Sequence, residues 1–133
     1  FKRLKKLAGP TIKLFGHQPD DAVQNYYANC SAFIMPQEED FGITPIEAMS
    51  YGKPVLALAR GGALEYMQEG ITGELFEDPT EEVLADGVRR LAPNLSKYNT
   101  AKIKETAERF SKERFVMEMV DFTDNTFKNT ADI

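Results

Sequence analysis

The sequence predicts an α/β fold, a Rossmann-like parallel sheet flanked by helices. Two short runs, Ala32-Phe33-Ile34-Met35 and Val55-Leu56-Ala57-Leu58-Ala59, are apolar at every position and have a stretch of helical character between them. A run of that kind suits a parallel strand covered on both faces, and strands alternating with helices imply a parallel sheet. Turn residues close both runs, Pro36 after the first and Arg60-Gly61-Gly62 after the second. The composition can supply the core: of 133 residues, 42% are hydrophobic and 28% charged, the profile of one ordinary globular domain.

Taken in order, residues 2–8 read as the end of an amphipathic helix. Lys2, Arg3, Lys5 and Lys6 form its solvated face, and Gly9-Pro10 closes it. Thr11-Ile12-Lys13-Leu14-Phe15 alternates polar with apolar, which predicts a partly exposed strand stopping at Gly16. Pro19-Asp20-Asp21 opens a helix with acidic residues at its positive end, and Val23, Tyr26, Tyr27 and Cys30 share one face. After the strand at 32–35, Pro36 through Ile43 is the densest turn region of the chain, followed by a short helix over 44–51. The second apolar strand, the loop Arg60-Gly61-Gly62, a short helix over 63–69 and a last strand over 72–76 come next.

Asp78-Pro79-Thr80-Glu81 then predicts a helix start, with an acceptor at the cap, Pro in the first turn and Glu three residues after the cap. Leu84, Val88 and Leu91 are its expected buried stripe, and Pro93 ends it. Two further helices follow. One carries Ile103, Ala107 and Phe110 in register, and one after Ser111 carries Phe115, Met119 and Phe122 as a core or interface face. Ligands of parallel sheets collect at the carboxyl ends of the strands. Here those ends are Gly16-His17-Gln18, Pro36 through Ile43, and Arg60-Gly61-Gly62.

Charge and residue counts narrow the chemistry. With 16 Lys+Arg against 21 Asp+Glu the net charge is −5, which argues against a nucleic-acid protein that binds by phosphate neutralisation. Cys30 is the sole cysteine, so neither an internal disulfide nor a cysteine-rich zinc site can form, and a reducing, cytoplasmic setting is expected. His17 is the sole histidine and follows an expected strand end with no Ser or Cys partner placed beside it, which favours a loop residue over a general base. No apolar run approaches ~18 residues, and Phe1 is followed by charge rather than by a signal-peptide core. The chain does not begin with Met, so a segment of a longer protein is expected.

The segment Glu39-Asp40-Phe41-Gly42-Ile43-Thr44-Pro45-Ile46-Glu47 concentrates the chemistry. It sets two carboxylates eight residues apart, one in a loop and one in the first turn of a helix. Amides around Gly42, Ile43 and Thr44 lead into that helix N-terminus, a favourable place for a phosphate. Glu39 and Glu47 would repel a phosphate but accept from hydroxyls, and a nucleoside-diphosphate sugar offers both parts. Two other readings stand beside this one. Thr44-Pro45-Ile46-Glu47 is itself a capping box with Pro at the first helical position, and Glu38-Glu39-Asp40 could be a solvated acidic turn or a magnesium site.

Residues 35–65 resemble the donor-binding signature of family-4 retaining glycosyltransferases with the GT-B fold. The shared elements occur in order: two Glu flanking Phe41-Gly42, then Glu47-Ala48-Met49, Gly52-Lys53-Pro54-Val55 and Gly61-Gly62-Ala63-Leu64-Glu65. Phe15-Gly16, Gly73–Phe76 and Phe110-Ser111 extend the likeness over most of the chain, and Glu38-Glu39-Asp40-Phe41-Gly42-Ile43-Thr44-Pro45 is similar to mannosyltransferase-like members. Asp40 stands where the family commonly has Gly.

The resemblance implies that Glu39 is the catalytic-site carboxylate, holding hydroxyls of the transferred sugar beside the anomeric centre. Glu47 would take the ribose hydroxyls, and Phe41, Gly42, Ile43 and Thr44 would contact sugar or diphosphate through their amides. Gly16, His17 and Gln18 would lie against the nucleobase. Transfer would retain anomeric configuration without metal or other cofactor, with GDP-mannose the favoured donor and a glycan or lipid-linked acceptor. It also implies that residues 1–133 are part of a C-terminal donor lobe, with the N-terminal acceptor lobe and the first strands of the donor lobe missing. Exposed strand edges would then favour self-association, and the whole protein could sit at the inner face of the membrane. A non-catalytic nucleotide-binding or assembly module and a GT-B-like sugar-nucleotide epimerase are the alternative readings.

Overall fold

The computed structural model describes residues 2–130; Phe1 and residues 131–133 lie outside the description. Three strands, β1 (Phe33–Met35), β2 (Val55–Leu58) and β3 (Gly73–Phe76), form a parallel sheet in the order β1-β2-β3. Phe33 pairs with Val55, and Val55 with Gly73. The helices are α1 (Lys2–Leu7), α2 (Asp20–Asn29), α3 (Ile43–Ser50), α4 (Ala63–Tyr66), α5 (Glu81–Leu91), α6 (Thr100–Glu108) and α7 (Lys112–Thr130), with a 3-10 segment at Ala92–Lys97. The α/β class expected from the sequence is the class observed.

β2 is the centre of the molecule and is buried at all four of its residues. Because strand side chains alternate, it feeds two cores. Val55 and Ala57 pack with Ile46 and Met49 of α3, Tyr66 of α4 and Ile103 of α6, while Leu56 and Leu58 pack with Phe76 and Leu91 on the α5 side. β1 differs from its expectation of cover on both faces: Met35 is buried but Ile34 is 44% exposed. The reason is position, since β1 is an edge strand whose outer side is unpaired among the described residues.

Thr11–Phe15, expected as a strand, is not one. Among the described residues its backbone finds no neighbouring strand, and alternation alone cannot replace the ladder that satisfies strand amides. Phe15 lies instead against Tyr26 of α2, their ring centroids 5.0 Å apart. Helix α5 begins at Glu81, and its cap is Thr80, whose hydroxyl accepts from the Val83 amide, rather than Asp78. Within it Gly87 and Leu91 are buried while Val88 is exposed. The absence of a side chain at Gly87 lets the helix settle onto Leu56, where a Cβ would come within 2.8 Å, and this turns Val88 outward. The helix over 63–69 is shorter than expected and ends at Tyr66. On α7 the face of Phe115, Met119 and Phe122 is exposed and forms no part of either core.

Candidate functional site

The loop 36–42 leaves the carboxyl end of β1 and enters α3 through Gly42, the N-cap, in the left-handed region at φ 81° and ψ 74°. Among the described residues no side chain caps this helix. The capping box expected of Thr44 and Glu47 therefore does not form. With Gly42 at the cap, the third helical position is Pro45, which has no amide to donate, and Glu47 lies beyond capping reach. The amides of Ile43 and Thr44 have no hydrogen-bond acceptor among the described residues. They are the free donors at the positive end of a helix dipole.

Glu47 has another engagement. Its Oε2 accepts from the hydroxyl of Tyr27 on α2 at 3.0 Å. Burial and the Glu47 carboxylate push the Tyr27 phenol up to about 12. Glu47 borders two hollows. A cleft of about 680 Å³ runs between α3 and α6 and includes Phe41, Ile43, Ile46 and Phe110 in its lining. A smaller one of about 350 Å³ lies between α2 and α3, beside Asp20, Tyr27 and Tyr51. A further hollow, about 940 Å³, lies between the 68–71 turn and the α6–α7 junction.

The acidic loop rests on glycine. The Gly62 amide donates to the Glu39 carbonyl at 2.9 Å. A Cβ on Gly61 would overlap that same carbonyl oxygen, and one on Gly62 would lie 2.5 Å from the Phe41 carbonyl oxygen and 2.6 Å from that of Asp40. The close approach permitted by Gly61-Gly62 is thus that of the loop 39–41 itself. Below Gly42 lies Tyr66, fully buried, its hydroxyl without a partner among the described residues. Burial and then the Glu39 charge push that phenol up to about 12. Phe110 links the layers, edge-on to Phe41 at 5.5 Å and to Tyr66 at 6.2 Å. The Glu39 side chain is exposed and accepts from Gln37 Nε2 at 3.3 Å.

Of the residues singled out in the sequence, Glu39, Phe41, Gly42, Ile43, Thr44 and Glu47 are brought together around the start of α3. Gly16, His17 and Gln18 are not joined to them by any hydrogen bond or ring contact among the described residues, and Gln18 Nε2 donates only to the His17 carbonyl. Arg60 forms a surface ion pair with Asp78 at 3.3 Å. Among the described residues no group of three His, Cys, Asp or Glu side chains is arranged to hold a metal ion, Glu38, Glu39 and Asp40 included. No described helix is long and apolar enough to cross a membrane. Tyr27 and Tyr66 are the residues that sequence reasoning missed. Tyr27 was part of an apolar helix face and Tyr66 of a short helix, and neither position announces where a hydroxyl will end.

Residues 2–113 match the family model described as glycosyl transferases group 1. The chain belongs to that family. Alpha-1,3/1,6-mannosyltransferase ALG2 of Dictyostelium discoideum is similar to this group 1 glycosyltransferase chain at 44% identity over 64 residues, 47% of this chain and 15% of that protein. Sucrose-phosphate synthase from Thermosynechococcus elongatus superposes with a TM-score of 0.83 at 23% identity, over 96% of this chain and 34% of the other, which establishes the GT-B type of fold. HepE of Anabaena, in complex with UDP-glucose, superposes with a TM-score of 0.70 at 26% identity, over 96% of this chain and 36% of the other. The chain spans about a third or less of the length of the relatives it matches.

Proposed function

We propose that this chain is the donor-binding part of a retaining hexosyltransferase that takes its sugar from a nucleoside diphosphate. One observation carries the reading: the uncapped start of α3 presents free amides between two carboxylates, Glu39 and Glu47, neither of which is used up by capping. The diphosphate sits against the Ile43 and Thr44 amides, where charge developing on the leaving group gains hydrogen bonds and the helix dipole. Glu39 accepts from hydroxyls of the transferred sugar, beside the anomeric carbon. Glu47 accepts from the ribose, and the cleft lined by Phe41, Ile43 and Phe110 receives apolar surface of the donor. Gly16, His17 and Gln18 face the nucleobase in this reading, and no metal or cofactor is required.

The favoured donor is GDP-mannose, supported by the motif's likeness to mannosyltransferase-like members and by the similarity to ALG2. A UDP-hexose is the second reading, favoured by the similarity to HepE, which was crystallised with UDP-glucose. The acceptor, a glycan or lipid-linked sugar, is bound by an N-terminal lobe outside these 133 residues, and the whole protein works in the cytoplasm or at the inner membrane face. The unpaired outer side of β1 is the place where this chain on its own would associate with a second copy. Light scattering that finds only monomer at high concentration excludes that association.

The deciding experiment uses the full-length protein with GDP-mannose, UDP-glucose, UDP-N-acetylglucosamine and ADP-glucose. One donor should bind and be consumed. Glu39→Ala should then abolish transfer while nucleoside-diphosphate binding survives, and Glu47→Ala should weaken binding of the nucleotide itself. Binding without consumption of any donor would favour a non-catalytic nucleotide-binding or assembly module. Formation of an epimerised nucleotide sugar would favour the epimerase reading.

A further inference from the structure

We propose that Tyr27 is a positioning residue for donor recognition, its hydroxyl holding the Glu47 carboxylate in the orientation that receives the ribose diol. The inference rests on the donor-site reading of Glu47 and adds a residue outside the motif that points to it.

Tyr27 has little freedom. Its side chain is only 8% exposed, its ring lies 5.8 Å from Phe33 of β1 and stacks on Tyr51 at 5.9 Å, and its hydroxyl donates to Glu47 Oε2 at 3.0 Å. Glu47, by contrast, is an exposed residue on α3 with no other side-chain hydrogen bond among the described residues. An exposed glutamate has several rotatable bonds, and stopping them when a ligand arrives costs affinity. Tyr27 removes that cost beforehand. It occupies one lone pair of Oε2, leaving Oε1 and the second lone pair of Oε2 open. Those remaining sites match a vicinal diol, which presents two O–H donors a short distance apart. The raised phenol keeps Tyr27 a donor across the neutral range, so this hold does not lapse with ordinary changes of pH.

A purely structural Tyr27 would affect all ligands alike. A positioning Tyr27 affects only those with the diol. The test measures binding of GDP and UDP, and of their 2′,3′-dideoxy forms, to the full-length wild type, Tyr27→Phe, Glu47→Ala and the double variant. Tyr27→Phe keeps the ring between Phe33 and Tyr51. It should weaken the ribonucleotide by about tenfold, the scale of one charge-assisted hydrogen bond, and leave the deoxy forms unchanged. With donor present, KM should rise while kcat holds. In the Glu47→Ala background the Tyr27 substitution should have no further effect.

The outcomes separate the two claims. If Glu47→Ala leaves the preference for ribose intact, the donor-site reading of Glu47 fails and this inference falls with it. If Glu47→Ala removes the preference but Tyr27→Phe retains it, the reading stands and Tyr27 is not a positioning residue. If Tyr27→Phe weakens ribo and deoxy forms equally, or adds to Glu47→Ala, its role is in packing and the inference is overturned.

Discussion

Tyr66→Phe should stabilise the protein. Tyr66 is fully buried, and its hydroxyl has no hydrogen-bond partner among the described residues. A buried hydroxyl that has left water without gaining a partner costs about 1–3 kcal/mol. Phenylalanine keeps the edge-on contact with Phe110 at 6.2 Å and loses only the van der Waals contacts of one oxygen, worth a few tenths of a kcal/mol in all. The balance is a gain of roughly 1 kcal/mol, or about 3–5 °C in Tm for a domain of this size. Urea unfolding with an unchanged m-value is the assay.

The same oxygen constrains Gly42, where a Cβ would come within 2.8 Å of it. Gly42→Ala alone carries both that overlap and the strain of a side chain at φ 81°. In a Tyr66→Phe background the overlap is gone and only the strain remains. The two substitutions should therefore couple favourably, by about 1 kcal/mol in a double-mutant cycle. Destabilisation by Tyr66→Phe of about 1 kcal/mol or more would refute the reasoning. It would mean that the hydroxyl holds a hydrogen bond in solution, and that the loop over it is seated through that bond rather than by packing alone.

Gly62→Ala should displace the loop 39–41, because the new Cβ meets the carbonyl oxygens of Phe41 and Asp40 at 2.5 and 2.6 Å. The expected result is nucleoside-diphosphate affinity reduced by about tenfold or more with Tm lowered only modestly, measured by calorimetry and thermal denaturation. In alkali, the phenols of Tyr27 and Tyr66 are held up to about 12 and that of Tyr98 is also raised, whereas unfolded tyrosine titrates near its usual value of about 10. Above pH ~10 the unfolded chain binds fewer protons than the native one, so stability is complete below pH ~10 and falls as pH rises towards ~12. Urea midpoints that stay level across that window, or tyrosinate absorbance that develops fully before unfolding begins, would contradict these environments.

What could be read from residues alone was whatever depends on neighbours in the chain. The run Val55–Leu58 announces a buried strand because all its positions are apolar, and the structure buries all four. Pro93 stops α5 because a proline cannot continue the ladder, and the helix ends at Leu91. The stretch Glu39–Glu47 shows its loop-to-helix character through Gly42 and Pro45, although Thr44 is an equally good cap on paper. Only the backbone conformation at Gly42 decides against the box, and that decision leaves Glu47 available. Thr11–Phe15 fails as a strand for the opposite reason, since a strand is a property of a pair and the sequence of one member does not contain the other. The face of Phe115, Met119 and Phe122 shows its period, but period does not say what covers it.

The tertiary structure alone brings Tyr27 to Glu47 across 20 positions, Tyr66 beneath Gly42, and Gly62 under the carbonyls of the acidic loop. Local chemistry declares which residues can bind hydroxyls and phosphate. Which of their atoms remain unengaged depends on groups distant in sequence, because a hydrogen bond or an overlap is set by distances in space that only packing determines.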